Sequence, residues 1–141
     1  MFKRPFLTLI TAAATLCGAG SHAASLELTI THVGKAEGQL LVALFDQPDV
    51  WLKGRPLKAT GVKAEAGSVT VLIEDLPEGA AIAVSVVHDL NGNRRLDMNA
   101  MGMPTESYGF SNNASGTFGP PTFEAARIVV NGATKASLAL N

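Results

Sequence analysis

Cysteine is nearly missing from this chain: 141 residues hold one, Cys17. It falls in an N-terminal segment that reads as a leader, so the remainder can form no disulfide, run no thiol chemistry and offer zinc no thiolate. Charge is also scarce, at 16% of residues. With Lys3 and Arg4 set aside in the leader, nine basic residues face twelve acidic ones, a formal charge of −3. No basic footprint for nucleic acid survives. Apolar runs fall short of the roughly 20 residues that span a bilayer, so no transmembrane span is expected beyond the leader. Amphipathic helical periodicity is absent too, and no glycine-rich phosphate loop precedes a helix.

The first residues follow the order of a secretory signal. Lys3 and Arg4 precede an apolar run from Phe6 to Leu16, and small residues close with Ser21-His22-Ala23. Cleavage is expected after Ala23, leaving residues 24–141 as one domain in the periplasm or outside the cell. Leu16 stands directly before Cys17 where a lipid-attachment signal needs a small residue, so a lipidated anchor is not expected.

From residue 25 the dominant signal is alternation of apolar and polar residues, broken by turns. Leu26, Leu28 and Ile30 alternate with Glu27, Thr29 and Thr31, which predicts a strand with one buried face. Residues 38–45 are continuously apolar enough for the middle of a sheet. A proline-bearing segment, 46–56, reads as a sheet-crossing loop in which Asp49 caps a short turn and Trp51 plugs the core. Residues 58–64 read as an edge strand, and 68–73 and 80–87 as further strands. Segments 122–130 and 133–140 are expected to pair as a hairpin across Asn131-Gly132, the strongest short hairpin signal. The sum is about seven strands, the pattern of an all-β immunoglobulin-like or transthyretin-like sandwich.

One connection, residues 88–121, is far longer than usual inside a compact domain, and such loops commonly carry function. It opens His88-Asp89-Leu90-Asn91-Gly92-Asn93-Arg94-Arg95-Leu96-Asp97-Met98-Asn99. Oxygen-bearing side chains at 89, 91, 93 and 97 occupy positions 1, 3, 5 and 9 of a calcium loop, and the Arg95 carbonyl would supply position 7. The spacing matters because a hard cation needs six to eight oxygens aimed inward by a curling backbone. The match is partial: Arg94 replaces the glycine of position 6 and Ala100 the bidentate glutamate of position 12. Asn99 or Glu106 would complete the shell, and with two arginines adjacent a dissociation constant of roughly 10⁻⁴ to 10⁻³ M is the expectation. A second reading stands beside this one, since Asp and Asn at alternate positions also build Asx-turns that satisfy loop backbone without an ion.

The run His88-Asp89, Asn91-Gly92-Asn93, Leu96-Asp97, Asn99, Gly102, Pro104, Glu106, Tyr108-Gly109-Phe110-Ser111-Asn112-Asn113-Ala114, then Gly119-Pro120-Pro121 and Phe123-Glu124-Ala125-Ala126, resembles the bacterial DUF2141 family of exported proteins. Residues 38–45 and Leu76-Pro77-Glu78-Gly79 fit the same pattern, so the resemblance spans nearly all of the chain after the leader. It implies a small exported β domain with an Asp/Asn-rich loop. Leu90 and Arg94-Arg95 depart from that pattern, which often has acidic or small residues there, and they work against a tight cation site.

Tyr108, Phe110, Phe118 and Phe123 are interleaved with Ser111, Asn112, Asn113 and two prolines. Rings and amides so mixed suit a sugar or peptide ligand, with Tyr108, Phe110, Asn112 and Asn113 as candidate contacts. Equally, a loop this long must bury something to stay ordered, and the rings then form a satellite core. No catalytic constellation emerges. Gly109-Phe110-Ser111-Asn112-Asn113 lacks the closing glycine of a nucleophile elbow, His88 reads as structural, and His32 stands alone. The expectation is a non-enzymatic exported binding or accessory domain, its loop organised around Ca²⁺, with a carbohydrate, peptide or envelope protein as partner. A purely structural or assembly sandwich with a metal-free loop is the alternative.

Overall fold

The computed structural model describes residues 23–141, and the leader expected at 1–23 lies almost wholly outside them. Eight strands form two sheets that face each other across an apolar core. They are β1 (Ala24–Val33), β2 (Gln39–Phe45), β3 (Lys58–Lys63), β4 (Gly67–Leu76), β5 (Ala80–Asp89), β6 (Tyr108–Phe110), β7 (Arg127–Val130) and β8 (Ala133–Ala139), with one helical turn, α1 (Phe123–Ala126). The all-β sandwich expected from the alternation is the observed architecture. Among the described residues no helix is long and apolar enough to cross a membrane.

The smaller sheet runs β4-β1-β8 and the larger β3-β2-β5, with β7 and β6 sharing the far edge of β5 end to end. Alternation on β1 does what its period dictates: Leu26, Leu28 and Ile30 are fully buried, and the intervening residues face outward. They pack against Leu40, Val42 and Leu44 of β2 and Ile82, Val84 and Val86 of β5 in one apolar cluster. Burying a side chain of this size contributes about 1.5–3 kcal/mol, which is how a chain without a disulfide holds together.

The terminal hairpin does not form. β7 pairs antiparallel with β5 in the larger sheet, while β8 crosses to the smaller sheet and runs parallel to β1 from Ser25↔Ala133 to Thr31↔Ala139. Asn131-Gly132 still turns the chain, with Gly132 at φ 55°, but it links the two sheets instead of two paired strands. The first of the two expected strands also begins later, at Arg127, because residues 123–126 wind into α1 under the Thr122 side-chain cap, whereas the second begins at Ala133 as expected.

The long connection after β5 is structured. It contributes β6 against Ser85 to Val87 and a 3₁₀ turn at Ser111–Asn113. A second apolar cluster, Phe45, Trp51, Ala83, Phe110, Phe123 and Ala126, covers the outer face of the larger sheet. Trp51 is its hub, edge-on to Phe45 at 5.3 Å, Phe110 at 5.8 Å and Phe123 at 6.2 Å between ring centroids. Its indole N–H donates to the Pro121 carbonyl at 2.8 Å, so the polar edge of the ring is satisfied inside. The expected core plug and satellite core are therefore one feature, in which a 3₁₀ turn at Pro48–Val50 delivers the tryptophan. Asp49 lies inside that turn, whose N-cap is Gln47.

Candidate functional site

β5 ends on two buried polar residues, and they start the Asp/Asn loop. His88 lies against β2: its Nε2 is 2.7 Å from the Glu37 carbonyl oxygen, and its backbone N–H donates to the Ser107 carbonyl. Asp89 is fully buried. Its Oδ1 accepts the Gly92 N–H at 3.0 Å, and its Oδ2 accepts the Arg94 N–H at 2.9 Å and the Gln39 amide at 3.2 Å. Burial, the largest single influence, pushes the Asp89 carboxyl up. The Arg94 N–H, the Gln39 amide and the Gly92 and Asn93 N–H groups together outweigh it and hold the carboxyl below the ordinary aspartate value.

From there the backbone curls. Asn91 Oδ1 accepts the Asn93 N–H at 3.2 Å and Asn93 Oδ1 accepts the Arg95 N–H at 3.1 Å, so each alternate side chain turns the next two residues. Their amides then converge on Asp97: Asn91 Nδ2 reaches Oδ2 at 2.6 Å and Asn93 Nδ2 reaches Oδ1 at 2.5 Å. Arg94, at the position where a calcium loop has glycine, takes φ 61°, and Gly92 takes φ 74°. The left-handed turn that glycine would make freely is thus made by an arginine.

Glu106 closes the curl into a ring. Its Oε1 accepts the Leu90 N–H at 3.0 Å and its Oε2 the Asp97 N–H at 3.2 Å, and the side chain is buried. Of the two residues expected to complete a shell, Glu106 is brought to the ring and Asn99 is not. Asn99 Oδ1 instead accepts the N–H groups of Met101 and Met103, organising a separate tip. The Arg95 side chain is exposed. The two ion pairs found among the described residues, Glu124 with Arg127 and Lys135 with Glu27, lie elsewhere, so neither Asp89, Asp97 nor Glu106 has a cationic partner.

The remaining candidates are engaged within the fold. Phe110 sits in the Trp51 cluster and half-buried Tyr108 stacks edge-on against it at 5.7 Å. Asn112, at φ 60°, donates to the Ala125 and Arg127 carbonyls, and Asn113, at φ 48°, accepts the Ala139 N–H. These two amides pin the 3₁₀ turn to α1, β7 and β8. Of the four loop rings only Phe118 stands free in solvent. Ser111 is buried, accepting the Val84 N–H at 2.9 Å and donating to the Ala126 carbonyl.

Two residues of the ring escaped sequence reasoning. Gln39 opens β2 and faces Asp89 because β2 and β5 pair antiparallel with Gln39↔Asp89 in register. Gly38 precedes it at φ 68°, and a Cβ there would collide with the Asp89 carbonyl oxygen. The signal was a glycine directly before a strand, whose meaning depends on which strand lies opposite.

Among the described residues no three His, Cys, Asp or Glu side chains form a metal-holding group. What gathers is a mixed set of carboxylate and amide oxygens, the donor chemistry a hard divalent cation takes. No curated protein and no solved structure matches the chain. A family model described as an uncharacterized protein conserved in bacteria matches residues 28–137, from β1 through the ring to β8, and the chain belongs to that family, DUF2141.

Proposed function

We propose that this chain is an exported, non-enzymatic accessory domain whose residues 89–106 form a weak calcium site at one end of the sandwich. The observation that carries the reading is electrostatic. Asp89 and Glu106 are buried, both contact the same short segment as Asp97, and no lysine or arginine among the described residues pairs with any of the three. Buried carboxylates are ordinarily paired with a cation or coordinate a metal, because removing their charge from water is costly. A calcium ion would draw on Asp89, Asn91, Asn93, the Arg95 carbonyl, Asp97 and Glu106. The positive φ at Arg94 adds support, since it is the turn that position 6 of such a loop requires. A carbohydrate, peptide or envelope protein would meet the sandwich at this end.

A metal-free reading also has an observation in its favour. Every oxygen of the three carboxylates already accepts a hydrogen bond, and no buried side-chain nitrogen or oxygen among the described residues lacks a partner. The domain would then be structural, or assemble through an exposed sheet edge such as β3 or β4.

Thermal melting separates the two. For a dissociation constant near 10⁻³ M, about 10 mM calcium stabilises the folded state by about 1.4 kcal/mol, a rise of about 5 °C for a domain of this size. Asp97→Ala removes that rise. A melting temperature that calcium and chelator leave unchanged rules the ion out and leaves the metal-free domain.

A further inference from the structure

We infer that β4 is an interface: two copies of this chain pair antiparallel through its free edge, about a two-fold axis at Val71, joining their three-stranded sheets into one of six strands. An open strand edge invites pairing, and a fold that stays monomeric blunts its edges with short strands, lysines or covering loops. Among the described residues every other edge is blunted. β3 is six residues long and both starts and ends on lysine, Lys58 and Lys63. β6 has three residues and β7 four, and the Asn112 amide takes the Arg127 carbonyl of β7. β8 carries Lys135 near its middle, and its last residue, Ala139, gives its N–H to Asn113. β4 has ten residues, Gly67–Leu76, with no lysine, arginine or proline among them, and Leu72 stands 59% exposed on its outer face.

Strand pairing fixes which main-chain groups of β4 are free. On β1, the Ser25 N–H bonds the Gly132 carbonyl and the Thr31 carbonyl takes the Leu140 N–H, both on the β8 side. Odd-numbered residues of β1 thus turn to β8, and Leu26, Leu28 and Ile30 turn to β4, where they meet Ile73, Val71 and Val69. Ser68, Thr70 and Leu72 therefore point their N–H and C=O groups away from β1, and no described residue bonds them from that side. The Lys58 ammonium, on β3, agrees with this phase, since it donates to the Glu74 carbonyl across the free edge. A second copy fits because residues 68–74 are polar at both ends and symmetric about Val71 in their inward row, Val69, Val71 and Ile73. The two-fold pairs Thr70 with Leu72 and Ser68 with Glu74, so all four outward-pointing residues are matched, and Val69 falls opposite Ile73. Leu72 is then covered by the partner's Thr70, and Glu74 meets a hydroxyl instead of a second carboxylate. The inward row continues across the axis, alongside the groove of about 580 Å³ between β4 and β3.

The inference takes the sheet-edge assembly named above to one edge and one partner, and it rests on the sheets and not on the ring, so calcium-dependent melting and dimerisation can each fail alone. Sedimentation of the full chain, in chelator and in calcium alike, is expected to show an average mass that climbs from monomer to dimer with concentration, as a small interface requires. Thr70→Pro deletes an outward N–H that the fold itself does not use, a place where an edge strand tolerates proline, and is expected to sediment as monomer throughout. Thr70→Ala, which keeps that N–H, should still dimerise. Cross-linking reads the register without relying on the proline variant. In a Cys17→Ser background, Thr70→Cys chains mixed with Leu72→Cys chains should oxidise to a disulfide-linked dimer, because a hydrogen-bonded pair holds its Cα atoms about 5.5 Å apart, within the roughly 4.4–6.8 Å a disulfide spans. Neither chain should cross-link by itself. A mass that stays monomeric at every concentration, a dimer undiminished in Thr70→Pro, or disulfides formed as readily by either chain alone as by the mixture overturns the proposal.

Discussion

Asp89→Asn is the sharpest single perturbation of the ring, because it preserves shape and removes only charge and one acceptor. The carboxylate receives three hydrogen bonds, from Gly92 N–H, Arg94 N–H and the Gln39 amide, all on a fully buried side chain. An amide keeps one oxygen and turns an N–H₂ toward the donors on the other side. One or two hydrogen bonds to a charged acceptor are lost, at about 1.5–3 kcal/mol each, with partial recovery because Gly92 and Arg94 can reach water. The net expected loss is about 3 kcal/mol, a fall in melting temperature of about 10 °C, measured in chelator so that no ion contributes. The pH dependence has a definite sign. The folded-state carboxyl titrates below the unfolded value, near 4, so its contribution is fully present above that value and disappears as pH falls through the folded-state value. The gap between wild type and Asp89→Asn should therefore be full at pH 7 and shrink below about pH 4. A gap under about 2 °C at pH 7, or one equally large at pH 2.5, refutes the reasoning.

Three further substitutions probe other links. Gly38→Ala combines a positive φ with a backbone collision against Asp89 and is expected to cost more than about 2 kcal/mol in denaturant unfolding, without altering any polar group. Arg94→Gly retains the N–H that Asp89 accepts and relieves a left-handed arginine, so it should stabilise by about 0.5–1 kcal/mol in chelator and, by removing a positive charge, tighten calcium binding. Trp51→Ala empties the hub of the outer cluster and should cost about 3–5 kcal/mol by chemical denaturation, whereas removal of fully exposed Phe118 by Phe118→Ser should change stability by less than about 0.5 kcal/mol.

Alternation made the sandwich legible, because a period of two on β1 and β4 requires one buried face and one wet one, and only a second sheet can cover the buried face. Pairing was less legible. Asn131-Gly132 is as good a turn signal when it joins two sheets as when it joins two neighbours, and the difference is set by β5 and β1 offering open edges to β7 and β8. β6 escaped notice for a similar reason: three residues, Tyr108–Phe110, are too few for a periodicity and pair only because β5 extends past β7. At the site, spacing alone located Asp89, Asn91, Asn93 and Asp97, since Asx side chains act on backbone two to five residues ahead. Glu106 was legible only as a nearby carboxylate. Gln39 and Gly38 were not, because they arrive from fifty residues upstream through strand register.

A crystal structure grown with about 10 mM calcium decides whether a cation sits in the ring. Electron density for one ion is predicted inside the ring, with oxygens of Asp89, Asn91, Asn93, Asp97 and Glu106 and the Arg95 carbonyl at about 2.3–2.6 Å. A ring whose asparagine amides still point at Asp97, with no ion among them at that concentration, would contradict the account.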